Sequence, residues 1–309
     1  MPLTGPRSRA VVVSKATSWD EIRRISDRFI TRWIRTIVNN FEKAKAGTSM
    51  RALIRLLEGE EFSRVVDEIE WIHIDGPQTG STATAFPILM RDVLERTAVL
   101  AGDALARNPK IRVLGAFDVT NPLVTDWIRS HAAEIVTQIS EESRQAIRDL
   151  VQRSYDKSIP AQTLARMIRQ SIGLTSRDAL AVTRRRALLI AEGKKPELVE
   201  RLTERYAAQL LRRRAEMIAK TELIKAETEG QLALWRQQAE AGFINGNLAG
   251  VSWIVTPDDR LCQRCSPLEG EIVGLGQLFE GGVTGPPLHP SCRCTVALVP
   301  EWRKLRLVA

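Results

Sequence analysis

The sequence has 309 residues, 44% of them hydrophobic and 27% charged, which is the composition of an ordinary soluble protein with room for two domains. No apolar run approaches the ~20 residues that span a bilayer, and the first residues lack the hydrophobic core of a signal peptide, so we expect a cytosolic protein with no membrane association. The net charge of +8 favours a partner that carries phosphates or carboxylates.

The first third of the chain is predicted to be helical. Residues 1–17 show no periodicity and are predicted to form a flexible basic arm. Ser18 and Glu21 have the spacing of a capping box, which predicts a long amphipathic helix to about Ala46. Further helices are expected at about 50–58, 61–72 and 86–107. We therefore predict an N-terminal helical domain over residues 18–110.

A second helical domain is predicted over residues 120–242. Asn121 followed by Pro122 is typical of a helix start, and Ser140 is expected to cap a separate helix after it. Short turns between the following helices indicate a compact bundle of antiparallel neighbours. The helical pattern from about Pro196 to Ala241 exceeds the length of an ordinary globular helix, so we expect a break or bend near Arg214.

Basic residues are concentrated in this second domain. Together with Lys194 and Lys195, six arginines lie within a stretch of about thirty residues. These arginines are the candidate nucleic-acid-binding residues: Arg184, Arg185, Arg186, Arg212, Arg213 and Arg214. They would form a solvated helix face, or contact the backbone of double-stranded DNA, or contact an acidic protein. Because aromatic residues make up only 5% of the chain, any DNA binding is expected to be independent of base sequence.

The pattern changes after Gly242. Val251, Trp253 and Val255 alternate as in a strand, and two more short strands are expected at Glu271–Val273 and Thr295–Val299. The predicted fold is therefore mainly α, with helical bundle regions followed by a small C-terminal β module over residues 250–300. A unit with so little apolar sequence needs a cross-link or a metal to be stable.

The same module contains all four cysteines of the protein and one of its three histidines. Their spacing is typical of the paired turns of a structural Zn²⁺ site. The predicted ligands are Cys262, Cys265, His289 and Cys292, since Cys294 would point to the opposite face of an extended strand. Cys294 is the alternative ligand, and a set of four cysteines, one or two disulfides, or free thiols also remain open.

A family resemblance rests on the residues around these cysteines. The string from Trp253 through Cys262 and Cys265 to Gly270, followed by His289-Pro-Ser-Cys-Arg-Cys294, resembles the C-terminal motif of the phage Mu F-like head morphogenesis family. Upstream, Lys220 takes the place of the arginine that usually precedes Thr-Glu in that family. The resemblance covers about residues 120–298. The motif residues outside the cysteine turns are Thr221, Glu222, Asp259 and Arg260.

This resemblance implies a non-enzymatic minor head protein, or minor capsid protein, of a tailed bacteriophage. Such a protein associates with the portal and the procapsid during assembly in the host cytoplasm, enters the head of the virion, and influences DNA packaging or ejection. The amphipathic helices of residues 1–110 are expected to carry the portal or capsid contacts. Packaged double-stranded DNA is a further expected partner.

Two other function classes are weighed against this one. In a metal-dependent nuclease, His289 with Asp258 or Asp259 would act on a phosphodiester, but four soft ligands close a zinc site and leave no position for a water molecule. In a zinc-containing DNA-binding protein, the module would read bases, but no predicted helix follows the metal turns to do so.

Overall fold

The computed structural model describes residues 19–107, 117–155, 159–256 and 262–303. Within these ranges it contains seven α-helices: α1 (Trp19–Gly47), α2 (Met50–Glu58), α3 (Thr82–Ala106), α4 (Pro122–Tyr155), α5 (Ala161–Ser171), α6 (Ser176–Ala191) and α7 (Pro196–Glu240). Three short strands follow: β1 (Gly250–Ile254), β2 (Ile272–Gly274) and β3 (Thr295–Val299). The predicted class, mainly α with a small C-terminal sheet, is confirmed. The basic arm predicted for residues 1–17 lies outside the described residues.

Two helices are longer than predicted. The prediction that a separate helix begins at Ser140 is wrong, because α4 continues past this residue. The Ser140 hydroxyl does not cap a helix and instead donates to the Asp75 carboxylate at 2.8 Å. The break expected near Arg214 is also wrong, since α7 is one continuous helix of 45 residues, while a bend there stays a prediction. No proline or glycine interrupts α7 near that point, and the side chain of Arg214 is held inside the protein.

The helix predicted over residues 61–72 is replaced by two 3₁₀ turns, Phe62–Arg64 and Trp71–His73. Glu60, just before them, has a φ of 56° and so separates this stretch from α2. Val65, Val66, Ile69 and Trp71 are buried, whereas Ile72 is exposed, and the Trp71 indole donates to the Val66 carbonyl at 2.8 Å. The apolar spacing therefore predicted which residues are buried better than it predicted a helix.

The chain divides into two compact units that are discontinuous in sequence. The helical unit comprises Thr31–Leu89 and Asp126–Ala219. The second unit comprises Met1–Ile30, Met90–Thr125 and Lys220–Ala309, and we call it the module-bearing unit. The sequential division into residues 18–110, 120–242 and 250–300 stays a prediction.

The helical unit is organised around an aromatic and aliphatic core. The rings of Trp33 and Phe86 pack with their centroids 4.9 Å apart. Gly173 ends the turn after α5 with a φ of +85°, and a Cβ there would lie 2.7 Å from the ring of Phe41. The buried guanidinium of Arg214 donates to the Gly173 carbonyl at 2.7 Å, and so locks this turn onto α7.

In the module-bearing unit, the three strands form an antiparallel sheet in the order β2-β1-β3. Val251 stands opposite Val273 on one side and Leu298 on the other. The sheet residues and the loops between them, 250–299, are the C-terminal module. Its core is shared with α3 and α7, whose buried side chains include Leu105 and Trp235.

No helix in the described part of the chain has both the length and the apolar character needed to cross a membrane.

Candidate metal centre and basic surface

The first cysteine turn is a tight knuckle. It leads from Cys262 into a 3₁₀ turn at Ser266–Leu268. The backbone N–H of Cys265 donates to the Cys262 carbonyl at 3.0 Å, and the N–H of Arg264 donates to the Cys262 sulfur at 3.3 Å. Main-chain donors aimed at the sulfur favour its thiolate form, and they lower the pKa of Cys262. The turn thus presents two sulfurs to the same side.

The second turn runs from His289 to Cys294 and is anchored to α7. Ser291 has a φ of 56°, and its N–H donates to the Thr221 hydroxyl at 3.0 Å. His289 Nδ1 lies 2.9 Å from the Pro290 carbonyl, so this nitrogen carries the proton and donates to it. The Nε2 lone pair of His289 is then free to bind a metal, which is the usual arrangement of a ligating histidine.

The two turns meet at Cys265. One group of potential ligands consists of Cys262, Cys265 and His289, and a second consists of Cys265, Cys292 and Cys294, with ligand atoms within 4.8 Å of one another in each group. The Cys265 sulfur is 3.8 Å from the Cys292 sulfur and 3.2 Å from His289 Nε2. Zn–S bonds of about 2.3 Å in a tetrahedron place two sulfurs about 3.8 Å apart. The cluster can therefore hold a metal ion.

The premise used to set Cys294 aside is wrong. Cys292 and Cys294 were expected on opposite faces of a strand, but β3 begins only at Thr295 and both sulfurs lie near Cys265. All four cysteines are free thiols in this structure, with no disulfide among them. Five candidate ligands therefore surround the site, and Cys265 is the one common to both groups.

The thiols influence each other's ionisation. Burial raises the pKa of Cys265 to about 12. A hydrogen bond from the Cys294 thiol lowers the pKa of Cys292 to about 5 and raises that of Cys294 itself. Several thiolates this close together repel one another, so full ionisation of the cluster requires a cation between them. Metal binding would therefore release protons.

The site is closed on its inner side. Cys265, Cys292 and Cys294 are buried, whereas Cys262 and His289 are half-buried. Behind them, the fully buried Trp253 ring meets Phe279 edge-on at 5.2 Å. Such a closed set of soft ligands is typical of a structural site and not of one that binds a substrate.

The motif residues Thr221 and Glu222 lie on α7, about forty residues before Cys262 in the sequence. Thr221 bonds the second turn directly, and Glu222 is buried. Asp259 and Arg260 lie outside the described residues, as does Asp258. Farther along α7, the Gln231 amide donates to the Thr295 hydroxyl at 3.2 Å, which ties the helix to the first residue of β3.

The six arginines predicted to bind nucleic acid do not form one surface. Arg186 and Arg214 are buried. The Arg186 guanidinium forms a bidentate pair with Glu200, and the Arg214 guanidinium donates to the carbonyls of Gly173 and Ile139 and to Glu142. Both therefore stabilise the helical unit and are not available to a partner.

The other four are exposed, in two separate pairs. Arg184 and Arg185 lie near the α6–α7 turn, as the Arg186 pair with Glu200 shows. Arg212 and Arg213 follow Glu200 by more than three turns, or about 18 Å along α7.

One unusual side chain was not singled out from the sequence. Glu227 on α7 is fully buried and accepts a hydrogen bond from the Ser26 hydroxyl of α1 at 2.5 Å. Burial raises the pKa of Glu227 to about 8, and the Ser26 hydrogen bond opposes this only in part. Its neighbours Lys225, Thr228 and Glu229 are polar, so the local sequence gives no signal that Glu227 is buried.

Comparison with known proteins gives one match. Residues 145–297, about half of the chain, match the family model described as Phage Mu protein F like protein. No curated protein and no solved structure matches the chain significantly. The matched region runs from the middle of α4 through β3 and includes both cysteine turns. The chain therefore belongs to the Phage Mu F-like family of bacteriophage head morphogenesis proteins.

Proposed function

We propose that the protein is a structural minor head protein that joins the procapsid by binding the portal and stays inside the head. The observation that carries this proposal is the family match, because it includes the helices and the cysteine turns together. In this proposal the host cytoplasm is the place of assembly and the virion head the final location. An influence on DNA packaging or ejection would follow from a position next to the portal.

We further propose that the module holds one structural Zn²⁺ through Cys262, Cys265, His289 and Cys292, with Cys294 as the alternative ligand. The fit is supported by the 3.8 Å separation of the Cys265 and Cys292 sulfurs and by the Nδ1 hydrogen bond of His289. A bound Zn²⁺ supplies a cross-link between the two turns. The chain's own residues keep that link in place, because Thr221 holds Ser291 between the ligands.

A non-enzymatic role is supported by the burial of three of the five candidate ligands. A hydrolytic zinc centre needs an open coordination position for water, and a closed thiolate set provides none. A base-reading role has little support, since β3 directly follows the cluster and the residues described after β3 are only a turn and the two helical residues Trp302 and Arg303.

The portal contact is proposed for the N-terminal helices, as expected from their amphipathic pattern. Deleting residues 1–110 is a poor test of this, because α1 and α3 contribute to both compact units. Such a deletion would remove core residues such as Trp33 and Phe86 along with any contact surface. The full chain is the better probe.

The test is to co-express the tagged full-length chain with the portal protein of its own phage, and separately with the major capsid protein alone. Co-purification with the portal, and the presence of the chain in isolated procapsids, are the expected results. Recovery with neither protein, and no chain in procapsids, would refute the proposal. Recovery with the capsid protein alone would keep the head location and overturn the portal contact.

DNA contact is proposed only for the exposed pair Arg212 and Arg213. Because phosphate contacts need charge and no base-reading geometry, Arg212 and Arg213 on an exposed helix face are suited to it.

A further inference from the structure

The helical unit carries two segments of opposite charge. Residues 160–214 contain thirteen Lys or Arg and five Asp or Glu, a net charge of +8, so the remainder of the chain is neutral. Residues 58–75 contain seven Asp or Glu and one Arg, a net charge of −6. Every residue of both segments is described, and no ion pair joins one segment to the other. Each segment therefore keeps an excess charge for a partner outside this copy of the chain.

The basic segment is most exposed at the α6–α7 tip, residues 184–197. Of these residues only Arg186 and Leu189 are buried. The pair of Arg186 with Glu200 closes the hairpin from inside, which leaves the neighbouring cations free. Arg184, Arg185 and Lys195 are exposed and have no ionic partner among the described residues.

The tip also exposes large apolar side chains. Leu188 is 57% exposed and Ile190 is 59% exposed. Contacts to a phosphate backbone require charge alone, whereas apolar side chains among cations are typical of a surface that binds protein. The tip is therefore suited to an acidic protein surface with apolar residues of its own.

The acidic segment, residues 58–75, has this character. Glu58, Glu60 and Asp67 are exposed and have no ionic partner in the part of the chain that the structure describes. Ile72 lies in the same segment and is 52% exposed. Glu58 ends α2, whereas Glu60, Asp67 and Ile72 lie in the irregular stretch that follows it.

We infer that the α6–α7 tip of one copy docks on the acidic segment of a second copy of this chain. Since the two surfaces differ and each copy carries both, the contact is head-to-tail and can repeat from copy to copy. Charge complementarity sets the orientation, and Leu188, Ile190 and Ile72 supply apolar contact. This inference does not depend on the head location or on the portal.

The experiment measures the mass of the purified full chain by light scattering across protein and salt concentrations. One variant reverses the acidic segment (Glu58→Lys, Glu60→Lys, Asp67→Lys), and the other reverses the tip (Arg184→Glu, Arg185→Glu, Lys195→Glu). Far-UV circular dichroism and the melting temperature establish that both variants are folded. A third variant, Leu188→Ser with Ile190→Ser, keeps every charge and tests the apolar contact.

We expect the wild-type mass to exceed that of a monomer at low salt and to fall towards it near 1 M salt, where the Debye length is about 3 Å. Each charge-reversed variant alone should associate about tenfold more weakly, or more weakly still. An equal mixture of the two should associate again, because each then meets its complement. The serine variant should also associate more weakly than wild type.

Three results would overturn the inference. One is a wild-type chain that stays monomeric at low salt, and another is a mixture of variants that associates no better than either alone. The third is association that appears only when duplex DNA is added and that the tip variant loses. That result would assign the tip to nucleic acid.

Discussion

The C-terminal module has three strands of three to five residues, whereas the helical unit has a continuous apolar core closed by a buried arginine. In the module, five candidate metal ligands converge where regular structure is sparse. In the helical unit, Arg214 joins α7 to α4 and to the turn after α5 through hydrogen bonds to two carbonyls and an ion pair with Glu142. The comparison teaches that a short irregular region can be stabilised by coordination, whereas a helix bundle can be stabilised by packing and a few buried polar contacts.

The largest expected effect is on the metal cluster. Cys265→Ser removes the ligand common to both groups, and structural Zn²⁺ binding is worth about 10 kcal/mol or more in small sites. We expect the variant to lose its zinc and the fluorescence signature of the buried Trp253, while the far-UV signal of the helices stays. Elemental analysis and fluorescence check this.

Cys294→Ser is the matched control. If the predicted ligand set is right, this variant keeps one zinc per chain. A reduced wild-type preparation that was never exposed to chelator and carries no metal would refute the zinc proposal itself.

The second effect is on the helical unit. Arg214→Met strips the hydrogen bonds from two buried main-chain carbonyls, so the free energy of unfolding should fall by about 3 kcal/mol. Urea unfolding followed by circular dichroism measures it. The exposed neighbour provides the control, since Arg213→Met should change stability by about 0.5 kcal/mol or less. Equal losses of unfolding free energy in both variants would show that the buried hydrogen bonds of Arg214 do not stabilise the protein.

The third effect concerns pH. Because burial raises the pKa of Glu227 to about 8 from an ordinary value of 4.5, the unfolded chain ionises this group first as pH rises. The folded state then holds the extra proton, so the contribution of Glu227 to stability is greatest below about pH 4.5 and falls by roughly 2 to 4 kcal/mol between about pH 4.5 and 8.

Glu227→Gln keeps a hydrogen-bonding group for Ser26 and should remove this fall, so that the variant exceeds wild type in stability at pH 8. Glu240→Gln, at an exposed position of the same helix, should leave the pH profile of wild type unchanged. Parallel profiles for wild type and Glu227→Gln would contradict the prediction.

The smallest effect is on the basic surface and leaves stability unchanged. Replacing Arg212 and Arg213 by Ala should weaken binding to duplex DNA equally for all sequences, and should reduce the slope of log affinity against log salt by about 2. Arg184→Ala with Arg185→Ala tests the other exposed pair in the same assay. Unchanged binding across the salt titration would mean that Arg212 and Arg213 form only a solvated face.

Local spacing predicted well where the chemistry is local. The alternation of apolar residues after Gly242 predicted the strands, and the spacing of the cysteines predicted that the ligands converge. Both patterns depend on neighbours within a few residues. Zinc itself stays a prediction. The prediction that Cys294 points away from the other ligands was wrong. It assumed that the strand already includes Cys294, whereas β3 begins one residue later, at Thr295.

Long-range contacts limited the rest. Successive residues of a helix are rotated by about 100°, so one of the three arginines Arg212–Arg214 is expected to face the core. That one is Arg214, because its hydrogen-bond acceptors lie on α4 and in the turn after α5. Likewise the spacing of Val65, Val66 and Ile69 predicted their burial correctly, but the chain there forms turns and not an α-helix. Neither fact can be obtained from a single window of sequence.

The bonds between α7 and the loops of the module also bear on how the gene can be rearranged. Thr221 holds Ser291, Gln231 holds Thr295, and Gly285 approaches Thr228 so closely that a Cβ there would lie 2.7 Å from its methyl group. A module joined after Gly242 keeps these contacts only if it supplies matching residues at all three positions. An exchange that begins upstream of Thr221 carries the second half of α7 together with the module, and so transfers both sides of each contact at once.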